Sequence, residues 1–328
     1  LEGRLSHYGA LNSYYAQSNE LFSKALLEKI RKLPFTRTVK IPILNKYAHT
    51  VLTVRSCSIS GPDISPTLKT LSRIHVAIDM SIVPATLEDN YVTAEDVLAH
   101  QYKNARRAVL EYLDTLCAAH LDTNKDTTMT PGSYPLYDAV SGAYQLPSSK
   151  PEDFYNNLPA IMAELDFEGP YSVVASTYAL ADRNKLMNPG GGSIYNTKAI
   201  MQGAGIENFE WTNRIARGSN RTVYFVMPTG SVGIVNAIDY DYRTAPALGS
   251  PEYLDAWNGF DNKSDLTSWA RTTDDLFEGW EWGVLQKITC ANEARQMDVK
   301  LSCDFIISSG FTSTSGESPI KRFEITPA

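Results

Sequence analysis

Asp122-Thr123-Asn124-Lys125-Asp126 opens like a calcium-binding loop, with oxygen ligands at alternate positions. The pattern then fails. Its sixth position is Thr127, where the sharp turn needs Gly, and its twelfth is Ser133, where the ion needs a bidentate carboxylate. A polar loop that ends a helix is the expectation. Pro189-Gly190-Gly191-Gly192-Ser193 precedes an expected short helix, whose first amides are the usual anion receptors. It lacks both the Lys-Ser/Thr ending of a phosphate loop and the glycine spacing of a dinucleotide site, so a loop at a subunit contact is expected. The histidines are His7, His49, His75, His100 and His120, with no H-x-x-x-H pair and no nucleophile motif beside them. Arg106 and Arg107 point about 100° apart on a helix, which suits salt bridges between subunits better than a phosphate clamp. The carboxylates show no spacing that selects an acid/base pair. No catalytic, cofactor-binding or metal-ligating residue is assigned, no cofactor is expected, and the chain is read as a non-enzyme.

Composition narrows the alternatives. The chain has 328 residues, 43% hydrophobic and 20% charged, enough to bury a core and form about two domains. Its net charge of −7 argues against a phosphate-binding surface but suits a wall that must not trap nucleic acid. Cys57, Cys117, Cys290 and Cys303 are scattered, which is neither zinc spacing nor a secreted disulfide framework, so reduced thiols are expected. No apolar run approaches the roughly 20 residues of a membrane span, and no signal-peptide pattern is present. The first residue is Leu1 rather than Met: either a leader has been removed or the sequence starts late.

The elements that must position these residues begin with an amphipathic helix over 12–33, carrying Leu21, Phe22, Ala25, Leu26, Ile30 and Leu33 at helical spacing and stopped by Pro34. Residues 35–92 are β-rich. Val39, Ile41 and Ile43 alternate in one arm, and Ile74, Val76, Ile78, Met80 and Ile82 alternate in another, so the stretch reads as a long hairpin with a Gly61-Pro62 tip. Thr93 is a candidate N-cap for a helix over 94–121, on the order of 40 Å long. Its expected apolar face is Val97, Gln101, Ala105, Ala108, Val109, Tyr112, Leu116 and Ala119. Its charged face is Glu95, Lys103, Arg106, Arg107, Glu111 and Asp114.

Residues 122–151 read as loop. Helices are expected near 152–165, 177–187 and 193–202, with strands at 171–175, 206–211, 221–227 and 231–236. The stretch 246–282 holds Trp257, Trp269, Trp280 and Trp282 among acidic residues, as either a docking surface or the local core of an inserted lobe. Two closing strands follow, at 284–291 and 299–307.

This order of elements resembles the major capsid proteins of tailed bacteriophages with the Hong Kong ninety-seven capsid fold, a fold shared with encapsulin shells. The similarity runs through Tyr171-Ser172-Val173-Val174-Ala175, Ala179–Leu186, Gly205-Ile206, Arg221–Met227 and Ser231–Asn236, and it is topological. It implies an α+β fold with an N-terminal arm at 1–34, an extended β-loop at 35–92 and a peripheral domain with a spine helix at 93–151. It further implies an axial domain at 152–282, including the Trp-rich insertion at 246–282, and returning strands of the axial and peripheral domains at 283–328. It also implies a major capsid protein that self-assembles into hexamers and pentamers of an icosahedral shell around double-stranded DNA held without specific binding. The chain would be assembled in the host cytoplasm and located in the virion. Portal and scaffolding proteins, and a possible decoration protein, are the other implied partners; no membrane is involved. Some members cross-link a loop Lys to a neighbour's Asn. Lys40, Lys46 and Lys69 lie in the loop here, but no matching Asn or Glu is identifiable and no cross-link is expected. The alternatives are an encapsulin-type compartment shell and, in a different class, a cytoplasmic α/β enzyme with an unrecognised site.

Overall fold

A computed structural model describes residues 7–32, 39–43, 67–83, 94–128, 137–147, 153–185, 194–238, 245–247, 266–291, 294–311 and 318–326. The single helix expected over 12–33 is two, α1 (Gly9–Leu21) and α2 (Lys24–Lys32). The break has a local cause. Phe22 is extended, with φ −112° and ψ 123°, and its ring is buried with Ile30, Leu71, Val235 and Ile306. The Ser23 hydroxyl then accepts the Leu26 amide at 3.3 Å, capping α2. The expected stop at Leu33-Pro34 lies outside the described residues.

β1 (Val39–Ile43) and β2 (Thr67–Leu71) pair antiparallel as a two-stranded ribbon. The next strand, β3 (Arg73–Ile82), is not the ribbon's second arm, which corrects the reading from alternation. It pairs with β12 (Ala294–Ser309) across Met297–Ile306. Alternation shows that one face is buried but not against what, and a 16-residue partner strand supplies the longer ladder. β3 turns Met80 and Ile82 inward while His75, Ala77, Asp79 and Ser81 face out. The full sheet runs β10 (Leu266–Thr273), β11 (Glu281–Ala291), β12, β3, and β9 (Val232–Ala237) pairs with the far part of β12.

The long helix α3 (Ala94–Thr123) spans 30 residues, about 45 Å at 1.5 Å per residue. Thr93 lies outside the described residues. The buried face is Ala105, Val109, Leu113, Cys117 and Leu121, with Leu110, Asp114 and Ala118 beside it. Ala108, Tyr112 and Ala119, expected inside, are exposed, and Asp114, expected on the charged face, is buried. The true face follows i, i+4 rows from Ala105 to Leu121 and is centred about 100°, roughly one residue, further round the helix than the expected one.

The second sheet has six strands in the order β4 (Tyr137–Asp138), β5 (Ala143–Leu146), β13 (Lys321–Ile325), β8 (Thr222–Pro228), β6 (Tyr171–Ser176), β7 (Ile206–Thr212). β6 and β7 are parallel, as are β5 and β13. One face packs on α4 (Asp153–Glu164), α5 (Ala179–Lys185) and α6 (Ile194–Gly203), through residues such as Leu158, Ala179, Ala204 and Val173. The other face, with Val174, Phe225 and Met227, joins α1, α3 and the first sheet in one central core. The Pro228–Ser231 turn passes the chain from one sheet to the other.

β4 and β5 fall where only loop was expected, and β13 is a third closing strand where two were expected. Trp280 and Trp282 are buried in the central core with Phe277 and Phe305. The end of the Trp-rich stretch is therefore part of the body rather than a separate lobe. Trp269 is 37% exposed, and Trp257 lies outside the described residues.

Candidate functional site

The candidate working element is the ribbon, and its root is built from four parts of the chain. β2 delivers Leu71 into the small cluster with Phe22, Ile30, Val235 and Ile306. Two residues earlier, the Lys69 ammonium donates to the Ser309 carbonyl at 2.9 Å, the Ser309 hydroxyl at 2.6 Å and the Phe311 carbonyl at 3.0 Å. It also lies over the Phe311 ring, 5.8 Å from its centre. Burial pulls the Lys69 pKa down. Arg73 Nη2 reaches the Ile30 carbonyl at 3.3 Å, tying the end of α2 to the start of β3. On the opposite face of the same strands Lys40, Leu68 and Thr70 are exposed, Leu68 to 59%. A two-stranded hairpin alone is marginal in water, so an element of this kind gains most from a surface to lie on.

The N-terminal helix is clamped to its own body. Asp114 Oδ1 accepts the Leu11 amide at 3.0 Å, and Oδ2 accepts the Thr212 hydroxyl at 2.5 Å. Arg214 stands 3.5 Å from the same carboxylate. Burial raises the Asp114 pKa, and these donors pull part of that rise back. The Ser18 hydroxyl donates to the Ile234 carbonyl at 2.8 Å and accepts the Ile234 amide at 2.9 Å, while Gln17 Oε1 accepts the Gly230 amide at 3.1 Å. Tyr14 Oη and His120 Nδ1 are 2.7 Å apart, joining α1 to the last turn of α3. Burial, then the Lys69 charge, lowers the His120 pKa to about 4. Gly9 is required here. A Cβ at that position would stand 1.9 Å from the Trp211 carbonyl oxygen.

The residues singled out by chemistry are mostly absorbed into the framework. Arg106, expected to bridge subunits, instead meets acids of its own chain. It grips Asp274 with Nε at 2.8 Å and Nη2 at 2.7 Å, and reaches Asp275 at 3.0 Å. Arg107 bonds Glu111 at 3.0 Å, one turn along. Adjacent arginines diverge, and each finds an acid nearby.

Asp122 lies in the last turn of α3 and Asp126 in the loop that follows it. Asp122 meets Lys125 at 3.0 Å and also Arg322. Asp126 forms a buried pair with Lys321. His75 bonds Asp304 at 2.8 Å, His7 stacks on Trp211 at 4.2 Å, and His100 lies 3.2 Å from Asn104. Cys117 and Cys303 are free and buried. His49, Cys57, Lys46 and the loop at 188–192 lie outside the described residues.

Sequence reasoning missed Asp114, Lys69 and Asp274 as organising groups. Each is a polar residue whose partners are remote in sequence, and only a misplaced charge on an apolar helix seam hinted at the first. Among the described residues, no group of three His, Cys, Asp or Glu side chains is placed to hold a metal. Among the same residues no helix is long and apolar enough to cross a membrane.

No protein-family model and no curated protein matches the chain. Solved structures do. A structure from Mycobacterium phage Che8 aligns over 93% of this chain and 89% of its own, with a TM-score of 0.50 and 12% identity. The capsid structure of the cyanophage P-SCSP1u covers 91% of this chain and 85% of its own (TM-score 0.47, 11% identity). The capsid of Ralstonia phage GP4 covers 89% and 84% (TM-score 0.43, 11% identity). At such identities the finding concerns the fold: the chain shares the fold of the Che8 structure over nearly its whole length.

Proposed function

We propose that the chain is a major capsid protein of the tailed-bacteriophage type. Its copies assemble into hexamers and pentamers of an icosahedral shell that encloses double-stranded DNA without binding it specifically. The observation that carries this reading is the near-full-length fold likeness to the Mycobacterium phage Che8 structure. The ribbon supports it: an outward-facing two-stranded element rooted firmly in its own body suits a subunit that reaches over its neighbours. In this reading residues 1–34 are the arm, 35–92 contain the extended loop, 93–151 hold the spine helix, 152–282 the axial domain and 283–328 the returning strands. β3, β9 and β10 then belong with the peripheral sheet, although β3 lies within 35–92 and β9 and β10 within 152–282. Portal, scaffolding and decoration proteins are the further partners, and assembly in the host cytoplasm precedes location in the virion. Contacts between such subunits are of the obligate kind, roughly 2,000 Å² or more.

Negative-stain microscopy of the purified protein tests the proposal. Closed shells or rings of subunits are the expected result, and a uniform monomer at high concentration overturns it.

A further inference from the structure

The lobe built on the six-stranded sheet carries opposite charge at its two ends, unneutralised among the described residues. At the end where β6 and β7 begin, α4 finishes with Glu164 and the connection continues through Asp166 and Glu168; all three are exposed, as is Glu207 in β7. No basic residue lies in the last turn of α4, so Glu164 faces the negative end of its own helix. None of these four carboxylates makes an ion pair with the described residues; Glu207 meets only the Thr229 hydroxyl, at 3.5 Å. Lys321 lies over the ring of the intervening Phe167, but its ammonium is buried and paired with Asp126.

The far end of the same lobe is arginine-rich. Arg214 and Arg221 are neutralised internally, by Glu111 with Asp114 and by Asp182. Arg217 and Arg183 are not paired with any carboxylate among the described residues. Arg217 lies in the turn after β7, where its guanidinium stacks 4.6 Å from the ring centre of Tyr178, itself 52% exposed. Among the described residues Arg217 donates to the Arg221 carbonyl at 3.1 Å. Arg183 stacks 5.5 Å from the centre of Phe209, on β7, the edge strand of the sheet. A guanidinium laid on an exposed aromatic ring with donors to spare is the kind of group that anchors protein interfaces.

β6 has six residues, about 20 Å of strand, so the Arg217 end cannot reach the acidic end of its own lobe. We propose that the Arg217–Tyr178 end of one copy receives the Glu164–Glu168 end of the next, head to tail. This rests on the capsid reading above and names its contact. The two patches differ, so the contact is heterologous, and repetition closes a ring when the rotation between copies allows.

Sedimentation and microscopy at low and high salt test it with three full-length variants, each first checked for an unchanged thermal transition. Arg217→Glu raises the concentration needed for rings or shells about tenfold or more. Reversal of the other side, Glu164→Lys with Asp166→Lys and Glu168→Lys, does the same. The chain carrying all four changes recovers assembly. Folded Arg217→Glu protein that assembles like wild type overturns the proposal. So does a variant that assembles normally but retains less DNA, since the patch would then contact nucleic acid. Arg217→Gln keeps a donor for the Arg221 carbonyl and gives an intermediate loss if Arg217→Glu fails to fold. Wild-type protein that forms no assembly at any concentration overturns the capsid reading itself, and this contact with it.

Discussion

The turn between β10 and β11 and the ribbon of β1 and β2 both lie outside the two main sheets, and they are held in opposite ways. The turn is fixed from within. Asp274 accepts two bonds from Arg106, the amides of Leu276 and Phe277 at 2.8 and 3.1 Å, and the Trp282 indole N–H at 2.9 Å. Among the described residues the ribbon is held by Leu71 and Lys69, and it shows Lys40, Leu68 and Thr70 to the outside. The turn spends its polar groups on the subunit that carries it. The ribbon keeps its outer groups for whatever lies beside that subunit. Stability and assembly should therefore respond to different residues.

The largest effect should come from the turn. Asp274→Ala leaves Arg106, two amides and the Trp282 indole without their acceptor, at a cost of about 3–5 kcal/mol. Denaturant unfolding measures that loss, and a change below about 1 kcal/mol would erase the contrast between the turn and the ribbon.

The α1–α3 junction should give the next largest effect, through pH. The folded-state pKa of His120 is about 4 and its ordinary value is 6.5. Between these values the unfolded chain binds the extra proton, so the contribution is complete above about pH 6.5 and is lost as pH falls toward 4. The loss is about 3 kcal/mol. Burial alone would raise the Asp274 carboxyl, but Arg106 and its other donors hold it below the usual carboxylate range, so its own acid loss comes below about pH 4. Unfolding measured at several pH values should show a shallower slope for His120→Gln than for wild type across pH 6.5 to 4.

The smallest effect should come from the ribbon root. Lys69→Met removes three hydrogen bonds from one ammonium and costs about 1–2 kcal/mol, felt as local opening. Hydrogen exchange should speed up in β1 and β2 while the central core stays protected. Equal loss of protection throughout would mean that the root and the core form one cooperative unit.

Much of this frame is legible in the sequence. Period-two alternation located β3, and helical periodicity located α3, because burial of one face writes itself into the residue order. Partners were the illegible part. The β3 alternation could not reveal that β12 is its neighbour, and β1 rather than β2 was visible because Thr67-Leu68-Lys69-Thr70-Leu71 is mostly polar. β13 was hidden by Lys321 and Glu324, which are buried because Asp126 and Gln145 meet them from distant positions. Asp114 misled in the same way: a charge counted as solvent-facing is the acceptor that holds α1. Phe22 marked an apolar stripe, yet burying it required the helix to break. What chain order cannot show is pairing across long separations, and most of the polar framework is of that kind.

The most direct test is removal of the segment that joins β1 to β2. Ile43 and Thr67 face each other across the ribbon, so residues 44–66 can be replaced by a two-residue Asn-Gly turn without disturbing the root. Electron microscopy of that protein beside wild type, with thermal unfolding of both, reads assembly and stability separately. An unchanged unfolding transition and no closed shells where wild type forms them are the expected results. Normal shells from the shortened chain would contradict a role for the ribbon in assembly.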